Sequence, residues 1–349
     1  SNRPDLWGHH GIARELSVIY DLPLKEIPSV KIDKNLPSFD IEIECKDKCQ
    51  RYVGIAIKGV DNRKSPLWMQ TLLIECGLRP INAIVDITNY VMLSTGQPMH
   101  AFDKTHVEGN KIIVRNAKKD EKLLLLDNNE IELTTDDLVI SDIKSVLALA
   151  GIRGGKKDSV LDSTKEILLE VANFTPSSIR KTGKRFLEKT DASIRYEKGL
   201  DVNRCYFAIE RACTLLSMYA SAKVYKGMLE YNTLDRNNKE IEITLDKINS
   251  VLGYKLSVDD VLDVFRKLKF DVKENKNVFK VSVPTRRTDI SIIEDLIEEV
   301  GRIYGVDNIE STLPDFETSP GNYDKRPRLV RNIMSSMSLN EVITYSLIN

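Results

Sequence analysis

The sequence predicts an α+β chain of more than one domain, and three observations carry that prediction. Short segments alternate with period two, as in Ile41-Glu42-Ile43-Glu44 and Tyr52-Val53-Gly54-Ile55-Ala56-Ile57, which is the strand signature. Longer stretches carry apolar residues at helical spacing, as in Ile293, Leu296, Ile297, Val300 and Tyr304. The strand-like runs gather together with few helices among them, which suits an α+β domain. A chain of 349 residues and 39.6 kDa supplies two or three domains with separate cores.

Hydrophobic residues at 42% and charged residues at 30% are ordinary for a soluble cytosolic protein. No apolar run approaches membrane-spanning length, and no signal-peptide pattern is present. A net charge of −1 gives no global nucleic-acid signature, so any such surface must be local. Cys45 and Cys49 are spaced C-x3-C without a second pair at zinc spacing, and the four histidines complete no set. Reduced, structural cysteines are therefore expected, without disulfides or zinc. The chain starts at Ser1-Asn2 and stops in residues 342–349, which read as a strand cut short; a piece of a longer subunit is expected.

Taken in order, Ile12, Leu16 and Ile19 mark a first helix, and Pro23, Pro28 and Pro37 a linker. His9 and His10 read as surface or packing residues. After the strands at 41–44 and 52–57, Pro66 opens a helix running through Leu73. Residues 82–89 read as a return to strand because of the β-branched run Ile84, Val85, Ile87. Gly96-Gln97-Pro98 fixes a turn, so Thr88, Asn89 and His100 are expected to face one space across a hairpin-like connection. Strands are predicted at 111–115, 123–127, 138–140, 145–150 and 166–172, and a helix at 203–219. A polar linker at 232–238 precedes a strand at 241–243, a short helix ended by Gly253, and a second helix opened by the capping-box-like Ser257-Val258-Asp259-Asp260. Two strands at 270–272 and 278–281 and a last helix from Ser291 complete a unit whose helix pair and hairpin also suit winged-helix architecture.

Residue chemistry alone singles out few positions. A lone histidine such as His100 reads first as a satisfied structural residue. Glu170 lies within the apolar run Ile167-Leu168-Leu169-Glu170-Val171, where a carboxylate is costly unless hydrogen-bonded or solvated. Gly151, Gly154 and Gly155 allow close backbone approach, which serves a bulge as readily as a pocket. Arg180, Lys181, Lys184, Arg185 and Lys189 form a basic run, ordinarily a solvated face, with a phosphate-contacting role as the second reading. Asp295, Glu298 and Glu299 share one helical turn; such crowding is unfavourable unless solvated, paired or bridged by a hard cation.

The words DITNYVM and GQPMHAFD, then ALAGIRGG, Glu170, TDAS with RYEKGLD, and the acidic last helix with RIYGVDN follow one another in an order that resembles the beta subunit of bacterial phenylalanyl-tRNA synthetase. NRPD followed by GIAREL resembles the same family's lead-in segment, and the likeness covers nearly the whole chain. It implies a helical lead-in at 1–36, a mixed α/β B3/B4 editing domain at 37–230, a small winged-helix-like B5 domain at 238–312, and the truncated start of a synthetase-like, catalytically silent B6/B7 domain at 313–349.

The family's holoenzyme is similar to a tetramer of two alpha and two beta chains that uses ATP to attach phenylalanine to tRNA(Phe), in the cytoplasm, with no membrane partner. The resemblance places ligation on the alpha chain and editing of Tyr-tRNA(Phe) here. It implies that Thr88, Asn89 and His100 orient the ester and terminal nucleotide, and that Gly151 and Gly154 offer backbone donors. Ala150, Thr190 and Ala192 would shape the pocket, and Glu170 would recognise the tyrosine hydroxyl. A site built to bond a hydroxyl strongly disfavours an analogue lacking it. The family has an apolar residue where Arg153 stands, which leaves its direction open. Asp289, Asp295, Glu298 and Glu299 correspond to a Mg²⁺ site at the alpha-subunit boundary; without that subunit, weak or no metal binding is expected. No Ser-His-Asp or Cys-His set appears in the pocket words, so attack by a positioned water is expected, with the terminal ribose hydroxyls assisting. Two rival readings stand beside this: a non-catalytic tRNA-docking and structural module, and a metal-dependent hydrolase built on the acidic cluster.

Overall fold

The structure is a computed structural model describing residues 2–29, 31–32, 39–157, 159–308, 313, 315, 317–319, 321 and 323–347. Pro37, the expected boundary at 312, and the last two residues of the expected terminal strand, Ile348 and Asn349, lie outside the described residues. The chain divides into two units, Ser1–Asn308 and Ile309–Asn349.

The first unit opens with α1 (His9–Ile19), followed by β1 (Asp40–Ile43), β2 (Cys49–Lys58), α2 (Leu67–Glu75), α3 (Ala83–Thr95) and β3 (Met99–Asp103). Next come β4 (Lys111–Asn116), β5 (Lys122–Leu124), β6 (Glu130–Glu132), β7 (Leu138–Ser141), β8 (Val146–Leu149), β9 (Arg153–Gly154) and β10 (Glu166–Phe174). Helices α4 (Pro176–Phe186), α5 (Asp191–Lys198) and α6 (Arg204–Tyr219) lead to β11 (Lys223–Asn232). The last part holds β12 (Lys239–Thr244), α7 (Leu245–Leu252), α8 (Val258–Lys267), β13 (Asp271–Asn275), β14 (Val278–Val283) and α9 (Ile293–Tyr304). In the second unit α10 (Arg326–Ser336) is helical, whereas Val342 to Tyr345, expected as a strand, form none.

Two sheets position the site. One has the order β11-β2-β10-β3 and is antiparallel throughout; the other runs β1-β4-β7-β8-β9, with β1 parallel to β4. Strand alternation divides β10 between two cores. Leu168 and Ala172 face the second sheet with Phe102, Ile140 and Leu149, while Ile167, Leu169 and Val171 face Ile84, Ile87 and Val91 of α3 and Ile209 and Leu216 of α6. A third core binds the sheet β12-β14-β13 to α7, α8 and α9 through Ile248, Phe265, Phe279 and Leu296, and takes in Val18 from α1. Among the described residues no helix is long and apolar enough to cross a membrane.

The strand expected at residues 82–89 is instead the first half of α3. Asn82 caps it by accepting a hydrogen bond from the Val85 amide at 3.1 Å, and Gly96, at φ 80°, ends it in the left-handed conformation. Between these caps Ile84, Ile87, Thr88, Val91, Met92 and Thr95 are buried at spacings of three and four, a helical stripe that overrides the β-branched preference of its first turn.

Candidate editing pocket

The pocket begins with a register. Glu170 on β10 lies directly opposite His100 on β3, so their side chains leave the sheet side by side on the face turned toward the second sheet. On the other flank Glu170 faces Gly54 of β2, and the missing side chain there leaves room for the ring of Phe39; a Cβ on Gly54 would lie 2.6 Å from that ring. Glu170 is only 4% exposed. Tyr52, opposite Ala172 and therefore diagonal to Glu170, hydrogen bonds to its carboxylate. Burial pushes the Tyr52 hydroxyl well up, and the nearby carboxylate pushes it further, so it stays a donor. Burial and then Glu170 raise Tyr196 in the same way.

The second sheet supplies the opposite wall. Gly154 on β9 comes so close to the imidazole of His100 that a Cβ there would lie 2.7 Å from its Cε1. His100 is held from its own strand by Phe102, whose ring meets it edge-on at 4.5 Å between centroids. Gly151 adopts φ 67°, and a Cβ there would press on Ile179, Phe174 and Tyr196 at 3.0 Å. Thr190 caps α5, accepting from the Ser193 amide at 3.1 Å, and donates its hydroxyl to the Ile152 carbonyl at 3.0 Å. That bond ties the helix carrying Ala192 to the glycine turn.

Together these elements enclose a cavity of about 70 Å³ with His100, Glu170, Gly151, Gly154, Ala192 and Tyr196 in its lining. It is roomy enough for ordered water. Ala150 is fully buried just behind the lining, and Thr190 acts through its hydrogen bonds. Thr88 and Asn89 do not line the cavity. They lie on α3, where Thr88 is buried and donates its hydroxyl to the Val85 carbonyl at 2.7 Å. Arg153 lines the rim and directs its guanidinium to Glu188 at 2.7 Å and Asp127 at 3.0 Å.

Sequence reasoning passed over Tyr196, although it stands four residues after Ala192 and so on the same helical face. It also passed over Gln97, whose buried amide donates to the Ala172 carbonyl at 3.0 Å and pins the start of β3 to the end of β10. In the basic run, Lys181 pairs with Asp136 at 2.7 Å and Arg185 pairs with Asp137, which leaves Arg180, Lys184 and Lys189 facing solvent.

The acidic residues of the last helix do not assemble a cation site. Asp289 accepts from Arg287 at 2.7 Å, and Glu299 is bonded to both Arg287 and Arg302. Asp295 caps α9, accepting the amides of Ser291 at 2.6 Å and Ile292 at 3.0 Å, and Glu298 is exposed. Among the described residues no group of three or more potential ligands could hold a metal. Two arginine partners, Arg287 buried and Arg302 half-buried, already supply the positive charge a cation would bring, so the set does not fit Mg²⁺.

Comparisons with known proteins find two domain families along the chain. The model of the B3/4 domain family matches residues 48–221, and that of the tRNA synthetase B5 domain matches residues 241–306. The chain is 42% identical over 357 residues to the phenylalanine–tRNA ligase beta subunit of Oceanobacillus iheyensis and 41% identical over 355 residues to that of Staphylococcus aureus MRSA252. Each alignment covers all of this chain and 44% of the relative, so the chain spans less than half the length of either. A solved N-terminal fragment of the phenylalanyl-tRNA synthetase beta-subunit from Pyrococcus horikoshii is 18% identical, with a TM-score of 0.45, covering 87% of this chain and 84% of that one. Two domain families in order, with such identity along the whole chain, place it in the family of phenylalanine–tRNA ligase beta subunits.

Proposed function

We propose that this chain is the part of a cytoplasmic phenylalanine–tRNA ligase beta subunit that edits, hydrolysing tyrosine from mischarged tRNA(Phe). The observation that carries this reading is the pairing of Glu170 with His100 across β10 and β3, closed by the bare backbone of Gly154. A buried carboxylate beside apolar walls suits a phenolic hydroxyl. Phenylalanine entering the same place would leave the carboxylate without that partner, which is how a site rejects a substrate lacking a hydroxyl.

In this reading His100 orients the ester and terminal nucleotide at the mouth of the cavity. The backbone amides at Gly151 and Gly154 face the carbonyl oxygen, and a water held between them and the imidazole attacks the carbonyl carbon. The attack breaks the ester bond, releasing tyrosine and returning the ribose hydroxyl. The proposed whole enzyme joins this chain to an alpha subunit and uses ATP for the ligation carried there.

The test is hydrolysis of Tyr-tRNA(Phe) against Phe-tRNA(Phe) by the 349-residue chain, with EDTA and without. Tyrosine-selective release that survives the chelator is expected, and Glu170→Ala should abolish the selectivity. His100→Ala should lower hydrolysis more than tRNA affinity. Equal loss of both would remove His100 from the chemistry. No release by the folded chain would favour the docking-module reading, and release lost to EDTA the metal-hydrolase reading.

A further inference from the structure

A second, larger cavity of about 300 Å³ lies away from the pocket, among α1, the end of α3, the start of α6 and the loop after β14. Three arginines line it: Arg14 from α1, Arg204 from the first turn of α6, and Arg286 from the loop. Arg204 is 9% exposed, and among the described residues its buried Nη1 has no hydrogen-bond partner. Arg286 donates Nη2 to the Leu268 carbonyl at 2.8 Å, while its buried Nε has no partner among the described residues.

Two carboxylates face the same space but are engaged elsewhere. Asp5 accepts from Arg3 at 2.8 and 2.9 Å, and Asp201 accepts from the Thr285 hydroxyl at 2.7 Å and the Asn203 amide at 3.0 Å. Burial lowers the pKa of all three arginines, against the attraction of Asp5 and Asp201, which raises them. Repulsion by Arg204 lowers Arg14 further, and repulsion by Arg14 contributes to bringing Arg286 down to about 10. Burial and the three arginines also lower His10, which is therefore a neutral imidazole at pH 7.

One buried and two half-buried guanidinium groups that repel one another, with donors unused on Arg204 and Arg286, are an unfavourable arrangement unless anions offset them. The start of α6 adds to the field. It is a helix of 16 residues whose Asn203 makes no side-chain cap, so the positive end of its dipole faces the same cavity. Several guanidinium forks on one point match the tetrahedral oxygens of phosphate. Beside them the rings of His10 and Phe207, 6.2 Å apart, form a wall suited to a ribose or base. We propose that this cavity is a phosphate-binding site in which Arg14, Arg204 and Arg286 converge on the phosphate of a nucleotide. The nucleotide is either free or one unit of an RNA strand.

The test is calorimetric titration of the 349-residue chain with inorganic phosphate at low chloride. Saturable binding at one site is expected, weakened about tenfold or more by Arg286→Ala and by Arg14→Ala, whose side chains are partly exposed. Arg266→Ala, which removes an exposed charge on α8, should leave it unchanged. Circular dichroism establishes that each variant is folded. Absence of saturable binding by the wild-type chain, or wild-type affinity in both cavity variants, overturns the proposal. A tRNA transcript then assigns the source. Displacement of phosphate by tRNA, with a salt slope that falls by about one in Arg286→Ala, identifies an RNA phosphodiester. Phosphate that stays bound beside the tRNA identifies a free nucleotide as the ligand.

Discussion

At Gly154 the hydrogen that stands in for a side chain is what allows His100 its position. A methyl group there would lie 2.7 Å from the imidazole Cε1 and 3.1 Å from Nε2, so the ring must move. If the chain edits as proposed, Gly154→Ala is expected to leave the fold intact and reduce release of tyrosine from Tyr-tRNA(Phe) by about 100-fold, the effect of misplacing a reacting group by about an ångström. Single-turnover deacylation measures it, and an unchanged rate would mean that the imidazole need not sit where it does. Glu170 was legible as an anomaly, a charge inside an apolar strand, because burial makes such a residue conspicuous. Tyr52 and Tyr196 were not, since a tyrosine in an apolar segment carries no such contrast, and only their nearness to Glu170 gives them meaning.

Between residue and molecule, α3 shows how local preference misleads. Its opening turn holds Ile84, Val85, Ile87 and Thr88, all good strand formers, yet Asn82 and Gly96 are cap residues at helical distance from each other. The caps and the three-and-four spacing were in the sequence, but the β-branched run drew attention from them. Putting Thr88 and Asn89 across a hairpin from His100 followed from that choice of period. Helix α9 was legible as an element, whereas the arginine partners of its acidic face were not, because Arg287 and Arg302 lie outside the turn that holds the carboxylates.

The network has a measurable consequence. Burial alone would raise Glu299, but the hydrogen bonds and charges of Arg287 and Arg302 outweigh it and hold the carboxyl at about 2 instead of 4.5. A carboxyl depressed in the folded state stabilises it above the unfolded pKa and loses that contribution as pH falls through the folded one. On the order of 3 kcal/mol should thus be present above pH 4.5 and disappear toward pH 2. Glu299→Gln should destabilise the chain by a similar amount at pH 7, and by progressively less as the pH is lowered through that window. Urea unfolding at a series of pH values decides this, and a gap independent of pH would refute it.

On the scale of the whole molecule, the pocket sits where two sheets run out, with β3 ending one and the two-residue β9 ending the other. The strands themselves were largely readable, because alternation is a local signal. Their order was not: β10 pairs with β3 and β2 across more than sixty intervening residues, and no periodicity encodes that partnership. Strand β2 is bonded along both edges and buried on both faces, whereas among the described residues β3 has a neighbour on one edge alone. Their amides should therefore exchange with deuterated solvent by different routes. Those of Val53 to Ile57 should wait for global unfolding, while Met99 to Asp103 should exchange through a local opening of smaller free energy. Exchange at equal rates would contradict this. With the expected difference, the histidine side of the cavity is the part that breathes, against a glutamate side fixed for as long as the protein stays folded.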